Sequence, residues 1–197
     1  MKVTREKFAE NREKIIEVAG ALFREKGFDG VSVAEIMKAA GLTHGGFYGH
    51  FTSKDDLAAQ ASAAALSQSA QRWRELARSG GENPLSVLVR RYLSERHRDD
   101  SAQGCALAGL GGETARQSTK VRDSFTDGLK RMIDSLMEMV PSGSDAERRR
   151  AALATASALV GAIILARAVE DRELSNEILS AVSDDLLGGA KQVDGEQ

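Results

Sequence analysis

The stretch His44-Gly45-Gly46-Phe47-Tyr48-Gly49-His50 combines hydrogen-bonding side chains with three glycines. That mixture suits a surface pressed close against another molecule. Each glycine costs a helix about 1 kcal/mol relative to alanine, a burden that a purely structural helix seldom carries. Enzyme chemistry finds no such concentration elsewhere. His44, His50 and His97 are too scattered to have metal-ligand spacing. Gly109-Leu110-Gly111-Gly112 lacks both the preceding strand and the following lysine of a phosphate loop. No serine sits in a G-x-S-x-G elbow, and Arg172 with the Asp/Glu pairs reads as helix-surface charge. The expectation is a chain that is not an enzyme and holds no metal or cofactor. Cys105, the single cysteine, can form no internal disulfide, which is compatible with the cytoplasm. If a helix begins at Gln103-Gly104-Cys105-Ala106, its N-terminus favours the thiolate and a sensing role. The other reading is a small buried hydrophobe.

The elements that must position these residues are helices. The 197 residues are 42% apolar and 28% charged with two prolines, values of a soluble globular chain rich in helix formers. Long β-branched alternations are absent. A first helix is expected from about Arg5 to Lys26, with Phe8, Ile15, Ile16, Ala19, Leu22 and Phe23 on one stripe and Gly27 as its stop. Ser32-Val33-Ala34-Glu35 is a capping box opening a helix of barely two turns, ended by Gly41. Thr43 caps a short third helix to about His50, and Ser53 opens a fourth reaching Arg78. Gly80-Gly81 break the chain, and Asn83-Pro84 starts the next helix. Gly104–Gly112 reads as a glycine-rich apolar segment between helices. Glu113–Val140 reads as one long amphipathic helix, ended at Pro141-Ser142-Gly143. Ser144–Glu147 is a second capping box leading into the helix that holds Ala151–Ala166. A last helix is expected from near Ser175 to Gly188-Gly189, and a polar, frayed tail beyond Lys191. The class is all-α, with about nine helices: a head over 1–52 and a larger body over 53–197.

Three short helices with a tight turn at Gly41-Leu42-Thr43 match a helix-turn-helix layout. Phe47 and Phe51, four apart, face inward. Thr43, Tyr48 and His50 offer donors to phosphate oxygens, while His44 and Gly45 stand at the end where base edges can be reached. Gly46 and Gly49 admit a close approach. Ser32 and Val33, and Lys54 with its first turn, form helix N-termini suited to phosphate. Residues 1–54 hold nine basic and seven acidic residues, a balance of +2, whereas the remaining 18 basic and 22 acidic residues balance to −4. A mildly basic head on an acidic body is the polarity expected if only the head meets DNA.

The stretch from Ser32 to Leu57 resembles the helix-turn-helix signature of the tetracycline-repressor (TetR) family. The aromatic pair Phe47-Tyr48, His50 and Phe51-Thr52-Ser53-Lys54 follow the turn as that pattern requires, and Ile16, Ala19, Leu22-Phe23 and Gly27-Phe28 fit its first helix. The resemblance covers about residues 10–57, with one departure at Gly49, where a larger side chain is common. It implies a ligand-responsive transcriptional repressor that binds a palindromic double-stranded operator as a homodimer and answers to a small-molecule effector. The class alternative is a helical protein-interaction adaptor that binds no DNA.

In the body, Ala151–Ala166 reads AALATASALVGAIILA, apolar or small on every face, so it must be buried. It is about four residues short of the ~20 a bilayer needs, and Arg148, Arg149 and Arg150 precede it. The expectation is packing against its own domain on one side and a second copy on the other, not insertion in a membrane. The resemblance implies that the last two helices pair across a two-fold axis, with Leu159, Ile163, Ala166, Ile178, Val182 and Leu186 at the interface. It also implies an effector pocket, for which Trp73, Tyr92, Cys105, Leu107, Phe125, Leu129, Met132 and Leu136 are the candidates.

Overall fold

The structure, a computed structural model, describes residues 4–79, 83–141 and 143–188. Every regular element among them is helical: α1 (Arg5–Lys26), α2 (Val33–Ala39), a 3-10 turn (His44–Gly46) running into α3 (Phe47–His50), α4 (Lys54–Arg78), α5 (Pro84–Tyr92), α6 (Glu95–Asp99), α7 (Ala106–Thr114), α8 (Thr119–Met137), α9 (Asp145–Ala168) and α10 (Arg172–Gly188). The expected break at Gly80-Gly81 and the tail beyond Lys191 lie outside the described residues. Packing divides the chain into two units, one of the residues up to Gln68 with Ser101–Gly128, the other of Ser69–Asp100 with the residues from Leu129 on.

In the first unit each boundary has a local cause. The Thr4 hydroxyl accepts from the Lys7 amide and opens α1, and Gly27 closes it at a φ of 78° that L side chains rarely adopt. Ser32 and Glu35 form the reciprocal capping box of α2. Gly41, at φ 73°, makes the turn that separates α2 from the 3-10 turn. Ile15, Ala19 and Phe23 of α1 are buried with Ile36 and Met37 of α2, Phe47 of α3, Leu57 and Leu66 of α4, and Leu110 of α7.

Two expectations need correction here. Residues 106–114 are a helix, not a glycine-rich connector, because Ala106, Leu107, Ala108 and Leu110 are buried and that burial outweighs three unfavourable glycines. Of those glycines, Gly109 lets α7 approach α1, since a Cβ there would lie 3.3 Å from the Arg24 carbonyl oxygen. Glu113 ends this helix instead of opening the next: its carboxylate accepts from the Phe28 amide at 2.9 Å. The long helix begins only at Thr119.

In the second unit Asn83 caps α5 through the amides of Leu85 and Ser86. The short α6, not foreseen, starts at the cap Ser94. Arg98, almost wholly buried, pairs with Asp99 at 2.7 Å and donates to the Ser175 hydroxyl at 3.1 Å, tying α6 to α10. Arg167 of α9 donates to the carbonyls of His97 and Arg98 at the end of α6. Ala152, Ala156, Leu159, Ala162, Ile163 and Ala166 form the buried stripe of α9.

Within the first unit α4 and α8 pack closely at Gly128. A Cβ added at Gly128 would lie 2.5 Å from both Cβ and Cδ1 of Leu66. Gly128→Ala is therefore expected to destabilise the chain by about 1–3 kcal/mol through overpacking, read as a lower urea midpoint. An unchanged midpoint would show that the helices part at no cost.

Candidate nucleic-acid interface

The 3-10 turn and α3 together span only residues 44–50, far too short to be stable alone. They are held from behind. Phe47 is fully buried, with its ring 5.7 Å from that of Phe51. The opposite face is open: Thr43, His44, Gly45, Gly46, Tyr48 and Gly49 are all exposed. Tyr48 is 70% exposed although it is a large aromatic residue, and its ring stands edge-on to Phe47 at 5.2 Å. A rigid amphipathic side chain held outward in this way is available to a partner.

The three glycines of this surface have no internal explanation. Neither Gly45, Gly46 nor Gly49 has a positive φ, so none is needed for a left-handed conformation. A Cβ on Gly45 would meet nothing within 4 Å, and at Gly46 and Gly49 it would meet only ordinary contacts with Met37, Thr43 and Phe8. The fold would accept alanine at all three. What the glycines provide is a low surface outside the chain, where a backbone can approach a partner closely.

Beside this face stand two helix N-termini. Ser32 is exposed, yet its amide and its hydroxyl both donate to the Glu35 carboxylate at 2.8 Å. Both of these Ser32 donors are thus committed to the cap. Hydrogen bonds from Ser32 hold the Glu35 carboxyl below its usual range, with smaller help from the charges of Lys26 and Lys54. Val33 and Lys54 are half-buried in the first turns of α2 and α4. The Ser53 hydroxyl accepts from the Asp56 amide at 3.0 Å, which completes the cap of α4.

His50 is partly covered. The Phe8 ring stacks on it at 4.0 Å and 23°. Its Nδ1 is buried without a hydrogen-bonding partner among the described residues. Arg12 donates to the His50 carbonyl at 2.6 Å. Phe8 and Arg12 escaped the sequence reading. Phe8 was counted with the core stripe of α1 but is 42% exposed. The available signal was their spacing: four residues apart, they project from one side of α1.

The residues expected to line an effector pocket fall in both units. Trp73, Tyr92, Met132 and Leu136 are buried in the second, where the Trp73 and Tyr92 rings meet edge to face at 5.9 Å. Cys105, Leu107 and Phe125 are buried in the first, with Cys105 as the N-cap of α7. Leu129 is 38% exposed. A cleft of about 240 Å³ in the first unit is lined by Lys26, Asp29, Glu113, Arg116 and Gln117 among others, and none of the eight candidates borders it. Among the described residues no group of three or more His, Cys, Asp or Glu is placed to hold a metal.

Of the expected dimer residues of α9, Leu159, Ile163 and Ala166 are buried within the chain. The open apolar residues of α9 are Leu153, Ile164 and Leu165, the last 57% exposed, and Leu174 is exposed on α10. Ile178, Val182 and Leu186 of α10 are half-buried. By length and composition alone α9 could cross a membrane, but one stripe of it is packed within its own unit.

Residues 15–61 match the family model described as bacterial regulatory proteins, tetR family. The chain is 44% identical over 54 residues to the HTH-type transcriptional regulator AcrR of Shigella flexneri, an alignment covering 27% of this chain and 25% of that protein. It is 24% identical over 192 residues to the HTH-type transcriptional repressor DhaR of Mycobacterium sp. strain GP1, covering 94% and 96% of the two chains. The crystal structure of the reduced form of Escherichia coli NemR superposes with a TM-score of 0.74 at 22% identity, covering 90% of this chain and 95% of that one.

The setting of His50 has a consequence for stability. Burial first, and the Arg12 charge second, hold its pKa below the ordinary 6.5. The unfolded chain therefore takes up this proton at a higher pH than the folded chain. The contribution of the neutral imidazole is complete above about pH 6.5 and is lost as pH falls through the folded-state value. His97, lowered chiefly by burial, adds a slope of the same sign. His50→Gln should shrink the loss of stability between about pH 7 and about pH 5.5, followed by urea midpoints. A slope equal to that of the parent would contradict this.

Proposed function

We propose, from its membership of the TetR family of bacterial regulatory proteins, that this chain is a sequence-specific DNA-binding repressor. It works in the cytoplasm as a homodimer on a palindromic operator, with a head over residues 1–52 and a sensing and dimerising body over 53–197. The observation that carries this reading is the exposed Gly45-Gly46-Gly49 surface beside Tyr48, since nothing inside the chain requires those glycines. Duplex DNA is a partner that such a surface fits: the backbone lies near the groove floor, Tyr48 and Thr43 meet phosphates, and His44 reaches base edges. Lys54 adds a cation, and Val33 a helix N-terminus, on the flanking strand.

A single recognition helix of this length buries little, so useful affinity needs two heads on one two-fold axis. The exposed Leu153, Ile164, Leu165 and Leu174, with the half-buried Ile178, Val182 and Leu186, form the face on which we place the second copy. Release from DNA is by a small molecule bound among the apolar residues of the body, or by modification of Cys105. The N-cap position of Cys105 supports the second route, as does a NemR relative studied in a reduced form. α4, which joins head to body in the chain, carries the change. Effector binding weakens DNA binding by its differential affinity for the two states and no more.

The test is binding to labelled DNA flanking the chain's own gene, at several salt concentrations. Tyr48→Ala is expected to weaken specific binding by about 1 kcal/mol or more. Lys54→Ala is expected to weaken specific and random DNA alike and to lower the salt slope by about one. If no fragment of the genome is preferred over random DNA, the reading fails. Separately, Leu165→Glu should yield a monomer in sedimentation and a large loss of operator affinity with the helical content kept. A dimer that survives this change would move the interface elsewhere.

A further inference from the structure

Arg12 lies on α1, yet its guanidinium ends at the far end of α3. One arm donates to the carbonyl of His50, the last residue of α3, at 2.6 Å. The other donates to the Gln60 side chain on α4. The guanidinium carbon sits 4.6 Å from the centroid of the Phe51 ring, within reach of a cation–π contact. Gln60 in turn donates to Asp56 at 3.2 Å, and Asp56 accepts from the Thr52 amide at 3.1 Å. Side chains from α1 and α4 thus grip residues 50–52 from both sides. A cation on the terminal carbonyl also suits the negative end of a helix.

We infer that Arg12 is the positioning residue of the DNA-reading segment: it fixes where α3 ends and hence where Tyr48 and Lys54 stand, without touching DNA itself. The inference rests on the proposed DNA-binding function. Its physical basis is that α3, of four residues, cannot hold its own register. Phe47 anchors the segment at one point only. A second fixed point is needed to set its rotation, and the planar fork of arginine, with two donors in fixed relation, supplies it.

The experiment measures operator and random-DNA binding of the full-length chain, its Arg12→Ala, Arg12→Lys and Gln60→Leu variants, and Tyr48→Ala, below each melting temperature and across a salt series. Arg12→Ala should lose about tenfold or more in operator affinity, and more of it for operator than for random DNA. Its salt slope should stay that of the parent, because no phosphate contact is lost. Arg12→Lys should recover part of the loss, since an ammonium keeps the charge but lacks the planar fork that holds two acceptors in fixed relation. Gln60→Leu should show a smaller defect of the same kind and stands in if Arg12→Ala does not fold. Operator binding unchanged in Arg12→Ala, or in Gln60→Leu where it stands in, overturns the inference. So does a slope lowered by about one, which would make Arg12 a direct phosphate contact. If the parent itself shows no preference for operator, the DNA-binding reading falls and this one with it.

Discussion

A segment made of a 3-10 turn and one turn of helix has almost no stability of its own, so its position depends on being held from behind. Phe47 is the centre of that hold, fully buried beside the ring of Phe51. Deleting a buried aromatic of this size costs a protein about 3–5 kcal/mol, far more than helix propensity gives so short a segment. The consequence is a division of labour within seven residues. Phe47 anchors and His50 is partly covered by Phe8, while the residues between and before them are left exposed. Gly45, Gly46, Tyr48 and His44 can then be chosen entirely for what lies outside the chain.

The rest of the first unit extends this hold. α1 carries the buried stripe through Ile15, Ala19 and Phe23 and reaches forward with Arg12 to the end of α3. At its other end Arg24 donates to the Ala102 carbonyl in the segment before α7, and Glu113 of α7 accepts from the Phe28 amide just beyond α1. Phe28 begins the short path to Ser32, where α2 opens. The second unit follows a different logic. Its buried cation Arg98 and the capping Arg167 bind α6 to the last two helices, while α9 buries one stripe and leaves another apolar stripe open. A chain that satisfies its own core and still exposes Leu153, Ile164 and Leu165 has apolar surface that association would cover.

The sequence was legible where a cap or a turn carries a chemical signature. Gly27, the Ser32–Glu35 box, Gly41 and Asn83-Pro84 each mark a boundary through one local interaction, and the structure has each boundary within a residue or two. The inward Phe47 follows equally from its spacing with Phe51. It was not legible where tertiary burial overrides propensity, as in α7, whose glycines suggest a connector while Leu107 and Leu110 bury it as a helix. Nor was it legible in α9. A helix apolar all round carries no phase, so Leu159, Ile163 and Ala166 could be assigned to a partner or to the core with equal right, and they belong to the core. The contacts of Arg12 were hidden for another reason: it meets His50 38 residues away, and no local pattern encodes that meeting.

The proposed DNA contact depends on glycines that serve a partner and not the fold, and Gly45 isolates that dependence. A methyl group at this position meets nothing within 4 Å and no positive φ opposes it. Gly45→Ala should therefore raise the unfolding free energy slightly, by about 0.4–1 kcal/mol, while operator affinity falls about tenfold or more as the added Cβ holds the backbone away from the groove. Stability and DNA affinity moving in opposite directions in one variant is the predicted result. A Gly45→Ala protein that binds operator as tightly as the parent would contradict the close approach on which this reading of the site is built.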